Sequence, residues 1–255
     1  MQQELVSIIM SSYNSVYIDQ AIESVLAQSY QNWELLITDD CSTDSTCETI
    51  ERYVAQDPRI KLFRLVQNSG AGVARNNSIE QAQGRFIAFL DSDDRWVAEK
   101  LERQVAFMAQ HKTEVCYSSY IEFNEEGAEK GMIVARKALT FEDMVKNDYM
   151  GFLTVIYDTQ RIGKVFMPQL RRRQDWAMKL MLLQRVEKAF GVIEPLAYYR
   201  VRPNSLSSNK LSLVRYNVEV YNKILGYSIV KSWFIFFVVF LPHYFCKKIG
   251  RLINK

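Results

Sequence analysis

A chain of 255 residues, 48% hydrophobic and 24% charged, carries enough apolar material for a packed core. This excludes a disordered chain and leaves one large mixed domain, or two small ones sharing a core. The formal net charge of +3 is too small to argue for or against nucleic acid, and no other feature calls for such a partner.

Residues 6–10 read as a short buried strand, and Ile18, Ile22, Val25 and Leu26 then recur at helical spacing. The pattern repeats. Residues 33–38 are strand-like, residues 39–45 form a polar turn rich in helix caps, and Thr49, Ile50, Tyr53 and Val54 follow at helical spacing. Residues 60–65 alternate as a third strand. A glycine-containing loop at 67–72 leads to a helix ending near Gly84, and residues 86–90 form an apolar fourth strand. Such alternation predicts an α/β fold with a mostly parallel sheet flanked by helices. From Trp96 the rhythm loosens: a helix through Gln110, a strand at 115–120, a hairpin-like stretch at 124–131, then mixed elements to Arg202.

Cys41, Cys47, Cys116 and Cys246 form neither a CxxC pair nor a disulfide framework, and only His111 and His243 could add imidazole. A reduced cytosolic protein without a zinc site is expected. The segment before the first strand has neither a basic nor an apolar signal region, so nothing in it directs export. No acid follows Glu219, whereas Lys223, Lys231, Lys247, Lys248, Arg251 and Lys255 do. Between Lys231 and Lys247 the apolar stretch, interrupted by Pro242 and His243, is too short for a spanning helix of about 20 residues. The expectation is an amphipathic helical tail lying in an anionic membrane interface; the alternative is a core or homodimer helix.

Three polar clusters fall at strand ends, where open α/β sheets bind ligands: residues 11–14 (SSYN), 39–42 (DDCS) and 91–94 (DSDD). Each alone reads as an ordinary turn or cap; together on one sheet edge they point to a site. Asp91, Asp93 and Asp94 repel one another unless a cation neutralises them, and a hard divalent ion, Mn2+ or Mg2+, suits oxygen ligands that bridge to substrate phosphates. The implied chemistry is departure of a nucleoside diphosphate. Arg171, Arg172, Arg173, Arg200 and Arg202 add guanidinium forks suited to phosphate, with a solvated basic face as the competing reading.

The stretches 6–14 (VSIIMSSYN), 39–44 (DDCSTD), 68–76 (NSGAGVARN) and 89–94 (FLDSDD) resemble, in order, the motifs of family 2 inverting glycosyltransferases with the GT-A fold, over roughly residues 5–210. Residues 151–154, 173–176 and 199–210 are similar to the bacterial teichuronic-acid and O-antigen branch. The resemblance implies a nucleotide-sugar half at 1–95, an acceptor half at 96–210 and a tail at 211–255. It implies Ser11 and Tyr13 at the nucleobase, Asp40 on base or ribose, Arg75 on base or diphosphate, and Asp93 and Asp94 at the metal or ribose with Asp91 supporting them. It also implies Asp175 as general base, at a helix start and before an aromatic, with Gln174 taking no part; a helix cap is the competing reading of Asp175. Ser78 stands where the family often has glycine, a departure expected to alter packing more than activity. The expected donor is a UDP-sugar and the expected acceptor a lipid-linked saccharide of a growing surface polysaccharide, at the inner face of the cell membrane. Two other classes compete: a sugar-nucleotide nucleotidyltransferase, which would need a Gly- and Arg/Lys-rich loop after strand one, and a non-catalytic sugar-nucleotide-binding module.

Overall fold

The computed structural model describes residues 3–202 and 210–246; Ser207, Ser208, Asn209, Lys247, Lys248, Arg251 and Lys255, invoked above, lie outside the described residues. The first half alternates as its sequence predicts: β1 (Val6–Ser12), α1 (Ile18–Leu26), β2 (Trp33–Asp39), α2 (Thr46–Gln56), β3 (Ile60–Arg64), α3 (Ala71–Gln81) and β4 (Phe86–Phe89). The strands β1, β2 and β4 are buried almost throughout, which is why they read as apolar runs and not as alternating ones.

The second half is β5 (Arg95–Trp96), α4 (Lys100–His111), β6 (Val115–Phe123), β7 (Glu129–Ile133), β8 (Ala138–Leu139), α5 (Phe141–Lys146), β9 (Ile156–Asp158), α6 (Thr159–Ile162), α7 (Gln174–Leu183) and β10 (Ala189–Arg200). All strands join one sheet, in the order β3-β2-β1-β4-β9-β6-β10-β5, with β7 on β6 and β8 on β10. Along that order β3, β2, β1, β4, β6 and β10 point one way, and only β9 and β5 oppose them. The sheet is therefore mostly parallel. One apolar cluster packs α1, α2 and α4 on one face, and another packs α5 and α7 on the other.

Topology fixes where a ligand can sit. The chain moves outward from β1 through β2 to β3, then returns to place β4 on the other side of β1. Loops after β1 and β4 therefore diverge, opening a crevice at the carboxyl edge between those two strands.

Strand β10 carries the second half to this crevice and depends on Gly191. A β-carbon there would lie 2.1 Å from the Arg136 carbonyl oxygen. Because the obstacle is backbone, Gly191→Ala is expected to destabilise the fold by about 2–3 kcal/mol and to lower Tm by roughly 4–12 °C. Thermal denaturation checks this, and an unchanged Tm would show that the two segments part freely.

After β10 come α8 (Lys210–Glu219), a π-helical turn at Val220–Ile224, α9 (Ile229–Ile235) and a second π turn at Phe236–Phe240. Here the sequence reading is corrected on one point: the helix runs unbroken from Ile229 to Cys246, through Pro242. Proline removes one N–H and crowds the preceding turn, and the π turn just before it widens the ladder at that place. Its 18 residues have a mean hydropathy of 1.7 and only 17% are buried, so by length and composition this helix could cross a membrane.

Candidate active site

The crevice opens into a cavity of about 1140 Å³ whose wall includes Ser11, Tyr13, Asp40, Arg75, Asp91, Asp93, Asp175 and Arg202. Each loop around it is held by its own polar side chains. Ser42 donates from its backbone to the Asp39 carboxylate at 2.7 Å, and Asn14 receives the Thr43 N–H at 2.8 Å, tying the β1 and β2 ends together. Ser15 Oγ donates to the Ser92 carbonyl at 3.0 Å, tying the β1 end to that of β4. Tyr13 is half exposed on this rim.

Asp40 is almost fully buried, and its two carboxylate oxygens accept the backbone N–H groups of Ser69 (2.7 Å) and Gly70 (2.8 Å). It therefore shapes the loop before α3, where Gly70 takes a φ of 92° that favours glycine. One turn into α3, Arg75 forms an ion pair with Asp91 and lies over the Phe152 ring at 5.1 Å. Ser78 is fully buried with its Oγ 2.7 Å from Thr38 Oγ1, so the departure from glycine is absorbed by a hydrogen bond inside the fold.

The four residues after β4 divide. Asp91 and Asp93 face the cavity, and Asp93 is paired with Arg202. Burial and the neighbouring Asp91 charge push the Asp93 carboxyl above its usual range, outweighing Arg202. Asp94 points the other way: it is buried, does not line the cavity, and accepts the Arg200 N–H at 2.7 Å. Burial, with Asp93 and Asp91 adding repulsion, pushes its carboxyl well above the usual range. The expectation of Asp94 as a metal ligand therefore meets a geometry that turns it inward.

Arg200 departs from expectation in the same way. It is 3% exposed, donates to the Asp93 carbonyl (2.8 Å) and Gln20 (2.7 Å), and stacks on Tyr17 at 3.7 Å. It supports the carboxylate loop from below and does not line the cavity. Arg171, Arg172 and Arg173 do line it.

Asp175 sits in the first turn of α7, fixed by Trp176, which is fully buried and donates to the Met144 carbonyl at 2.9 Å. Burial opposes ionisation of Asp175, but Lys179 and Arg173 outweigh it and hold the carboxyl below its usual range. It is thus an ionised acceptor with a side chain 40% exposed. The sequence reading missed Lys179. Its ammonium is buried, binds both Asp148 oxygens (2.8 and 2.9 Å) and the Met150 carbonyl (2.7 Å), and lies 3.6 Å from Asp175. A lysine four residues after an acid on one helix face was the available signal. A β-carbon at Gly72 would meet the amide end of Gln174 at 2.5 Å, a contact that rotation of that flexible side chain would relieve.

Among the described residues no cluster of three or more His, Cys, Asp or Glu could enclose a metal. Asp91 and Asp93 still fit a hard divalent cation, since such ions use one or two carboxylates and complete their shell with substrate phosphates and water. Two mutually repelling carboxylates on one wall, each already drawn to a guanidinium, are a donor set suited to a cation.

Residues 7–172 match the family profile described as Glycosyl transferase family 2. TuaG of Bacillus subtilis, named as a teichuronic acid biosynthesis glycosyltransferase, is 42% identical over 91% of this chain and 93% of its own length. WfgD of Escherichia coli, named as a UDP-Glc:alpha-D-GlcNAc-diphosphoundecaprenol beta-1,3-glucosyltransferase, is 37% identical over 86% of each. S. aureus TarS 1–349, solved in complex with UDP-GlcNAc, superposes with a TM-score of 0.70 at 22% identity over 90% of this chain and 69% of that one. The mannosyltransferase PcManGT from Pyrobaculum calidifontis, solved with GDP-Man and Mn2+, superposes at 0.64 with 16% identity, over 89% of this chain and 66% of that one. The two structures share the GT-A architecture of this sheet, while the profile and the curated relatives fix the membership: the chain is a glycosyltransferase of the Glycosyl transferase family 2.

Proposed function

We propose that this enzyme transfers a sugar from a UDP-sugar to a lipid-linked saccharide acceptor in the building of a bacterial surface polysaccharide, inverting the anomeric centre. The observation that carries the reading is one continuous cavity at the β1/β4 switch point, lined by Asp91 and Asp93 as well as by the ionised Asp175. The name of TuaG supports the polysaccharide setting, the named activity of WfgD supports the lipid-linked acceptor, and the UDP-GlcNAc complex of TarS supports the nucleotide.

In this reading Ser11 and Tyr13 border the base, Asp40 holds the 68–70 loop against the nucleoside, and Arg75 approaches the diphosphate. Asp93, with Asp91, would hold Mn2+ or Mg2+. Bound there, the metal would supply Lewis-acid neutralisation of the charge that grows on the departing diphosphate. Asp175 takes the proton from the acceptor hydroxyl as that oxygen bonds to the anomeric carbon, and the bond to the diphosphate oxygen breaks on the opposite face. Lys179 and Trp176 keep the Asp175 carboxylate charged and aimed. The exposed apolar residues Phe234, Phe237, Val238 and Phe245 support a tail seated in or across a membrane, which would bring the cavity near a lipid-borne acceptor.

Isothermal titration of the purified chain with UDP, GDP, CDP and dTDP, with and without Mn2+, tests the donor assignment. UDP is expected to bind at least about tenfold tighter with Mn2+ present and tighter than the other nucleotides. Equal Mn2+-independent binding of all four would remove both the nucleotide and the metal from the reading.

A further inference from the structure

The cavity, at about 1140 Å³, exceeds the roughly 300–1,000 Å³ usual for a small-molecule site. Away from the carboxylate loop, the wall is built from Arg171 and Arg173, on the segment entering α7, and from Leu213, Phe240 and Tyr244 of the C-terminal helices. Cationic and apolar walls thus meet in the cavity that Asp175 lines. Of the other cations there, Arg75 is matched by Asp91, Arg202 by Asp93 and Lys179 by Asp148 and Asp175, while Arg172 lies over the Tyr216 ring at 5.6 Å. Among the described residues Arg171 and Arg173 enter no ion pair within 4.0 Å. Arg173 takes a left-handed φ of 64°, uncommon outside glycine and asparagine, and its Nε is buried without a hydrogen-bond partner. A guanidinium held in a strained backbone with an unmet donor is matched by an anion that enters the cavity.

The apolar wall says what that anion is attached to. Phe240 is 3% exposed and packs on Trp176 at 5.3 Å between ring centres, so the tail helix rests on the same residue that anchors the start of α7. We infer that Arg171 and Arg173 bind the diphosphate of a prenyl-diphosphate-linked acceptor, and that Leu213, Phe240 and Tyr244 receive the first apolar units of its hydrocarbon chain. This rests on the proposed lipid-linked acceptor and adds the residues that would read its non-sugar part. A membrane headgroup is a poorer match for Arg173: the residue is half-buried on the cavity wall, whereas the exposed face of the tail helix includes Phe234, Phe237, Val238 and Phe245.

The test is titration of the full chain, in neutral non-ionic detergent with saturating UDP and Mn2+, using farnesyl diphosphate, farnesol and inorganic diphosphate as probes. Farnesyl diphosphate is expected to bind without displacing UDP, at least about tenfold tighter than either fragment. Arg171→Ala with Arg173→Gly, where glycine keeps the left-handed turn, should weaken it about tenfold or more while UDP affinity stays within about twofold. Arg171→Glu alone, at an exposed position, should weaken it in the same direction and guards against a folding defect in the double variant. Displacement by UDP, equal binding of farnesol, or undiminished affinity in the variants would overturn the assignment. So would variants that lose flotation with phosphatidylglycerol vesicles yet keep farnesyl diphosphate affinity, because the arginines would then read headgroups. Failure of UDP to bind while farnesyl diphosphate binds in the arginine-dependent way would sink the donor reading and leave this one standing.

Discussion

Asp175→Asn is expected to lower sugar-transfer turnover by about 10²–10⁴-fold, the range a positioned general base contributes, while changing UDP affinity by no more than about twofold. The asparagine keeps the size and planar shape of the carboxylate, so Trp176 stays seated and the start of α7 is undisturbed. What is lost is an acceptor for the proton of the attacking hydroxyl. The pH profile adds a second signature. Burial works against the charge, but Lys179 and Arg173 hold the carboxyl below its usual range. The base is therefore unprotonated throughout the neutral region, and wild-type turnover should fall only as pH drops beneath the ordinary carboxylate range. The variant should lack that acidic limb. UDP release measured across pH, beside titration with UDP, separates the cases. Near-normal turnover would return Asp175 to the role of helix cap, and a parallel loss of UDP binding would move it to the donor subsite.

The legible half of the fold is the half whose strands are neighbours in sequence. β1, β2 and β4 are buried on both faces, so each shows an apolar run closed by a polar cluster, and short connections leave little choice of topology. The second half hid its order because its links are short strands paired across long separations. β9 has three residues, β5 and β8 two each, and β9 joins β4 to β6 although the chain visits them in a different order. Periodicity cannot register a two-residue strand. The tail departs from its sequence pattern for a different reason: proline ordinarily interrupts a helix, whereas the π turn before Pro242 lets this one continue.

The same distinction applies to the site. That the three polar clusters sit on one sheet edge followed from strand order alone. That Asp94 turns inward did not follow from composition: residues 91–94 close a turn in which the Asp94 N–H donates to the Asp91 carbonyl at 3.1 Å, and this leaves Asp91 and Asp93 on the cavity wall with Asp94 turned away from it. The charge of Arg200 suits either a phosphate ligand or a solvated basic face; the backbone carbonyl of Asp93 and the ring of Tyr17, distant in sequence, are what engage it. Of the competing classes, a nucleotidyltransferase would carry a basic, glycine-rich loop after β1, where residues 11–14 (SSYN) stand. Membership of a glycosyltransferase family decides against it.

Asp93→Ala is expected to abolish the Mn2+ dependence of UDP binding and to cut turnover about 10²-fold or more, because charge stabilisation of a leaving group is worth several kcal/mol. The sign of the metal-free arm makes the prediction specific. Removing Asp93 takes one negative charge from a wall that also holds Asp91, and leaves Arg202 without its partner. UDP without metal should therefore bind the variant as well as the wild type or better, while added Mn2+ no longer strengthens it. Asp94→Ala should behave oppositely. It removes the acceptor of the buried Arg200 N–H and should cost about 1–3 kcal/mol of stability, yet retain Mn2+-strengthened UDP binding at temperatures where the variant is folded. Titration of both variants with UDP, with and without Mn2+, beside their melting curves, tests the division. Mn2+ dependence kept by Asp93→Ala and lost in Asp94→Ala would mean that the carboxylate now turned toward Arg200 swings out to meet the metal, and that the loop after β4 rearranges when the donor binds.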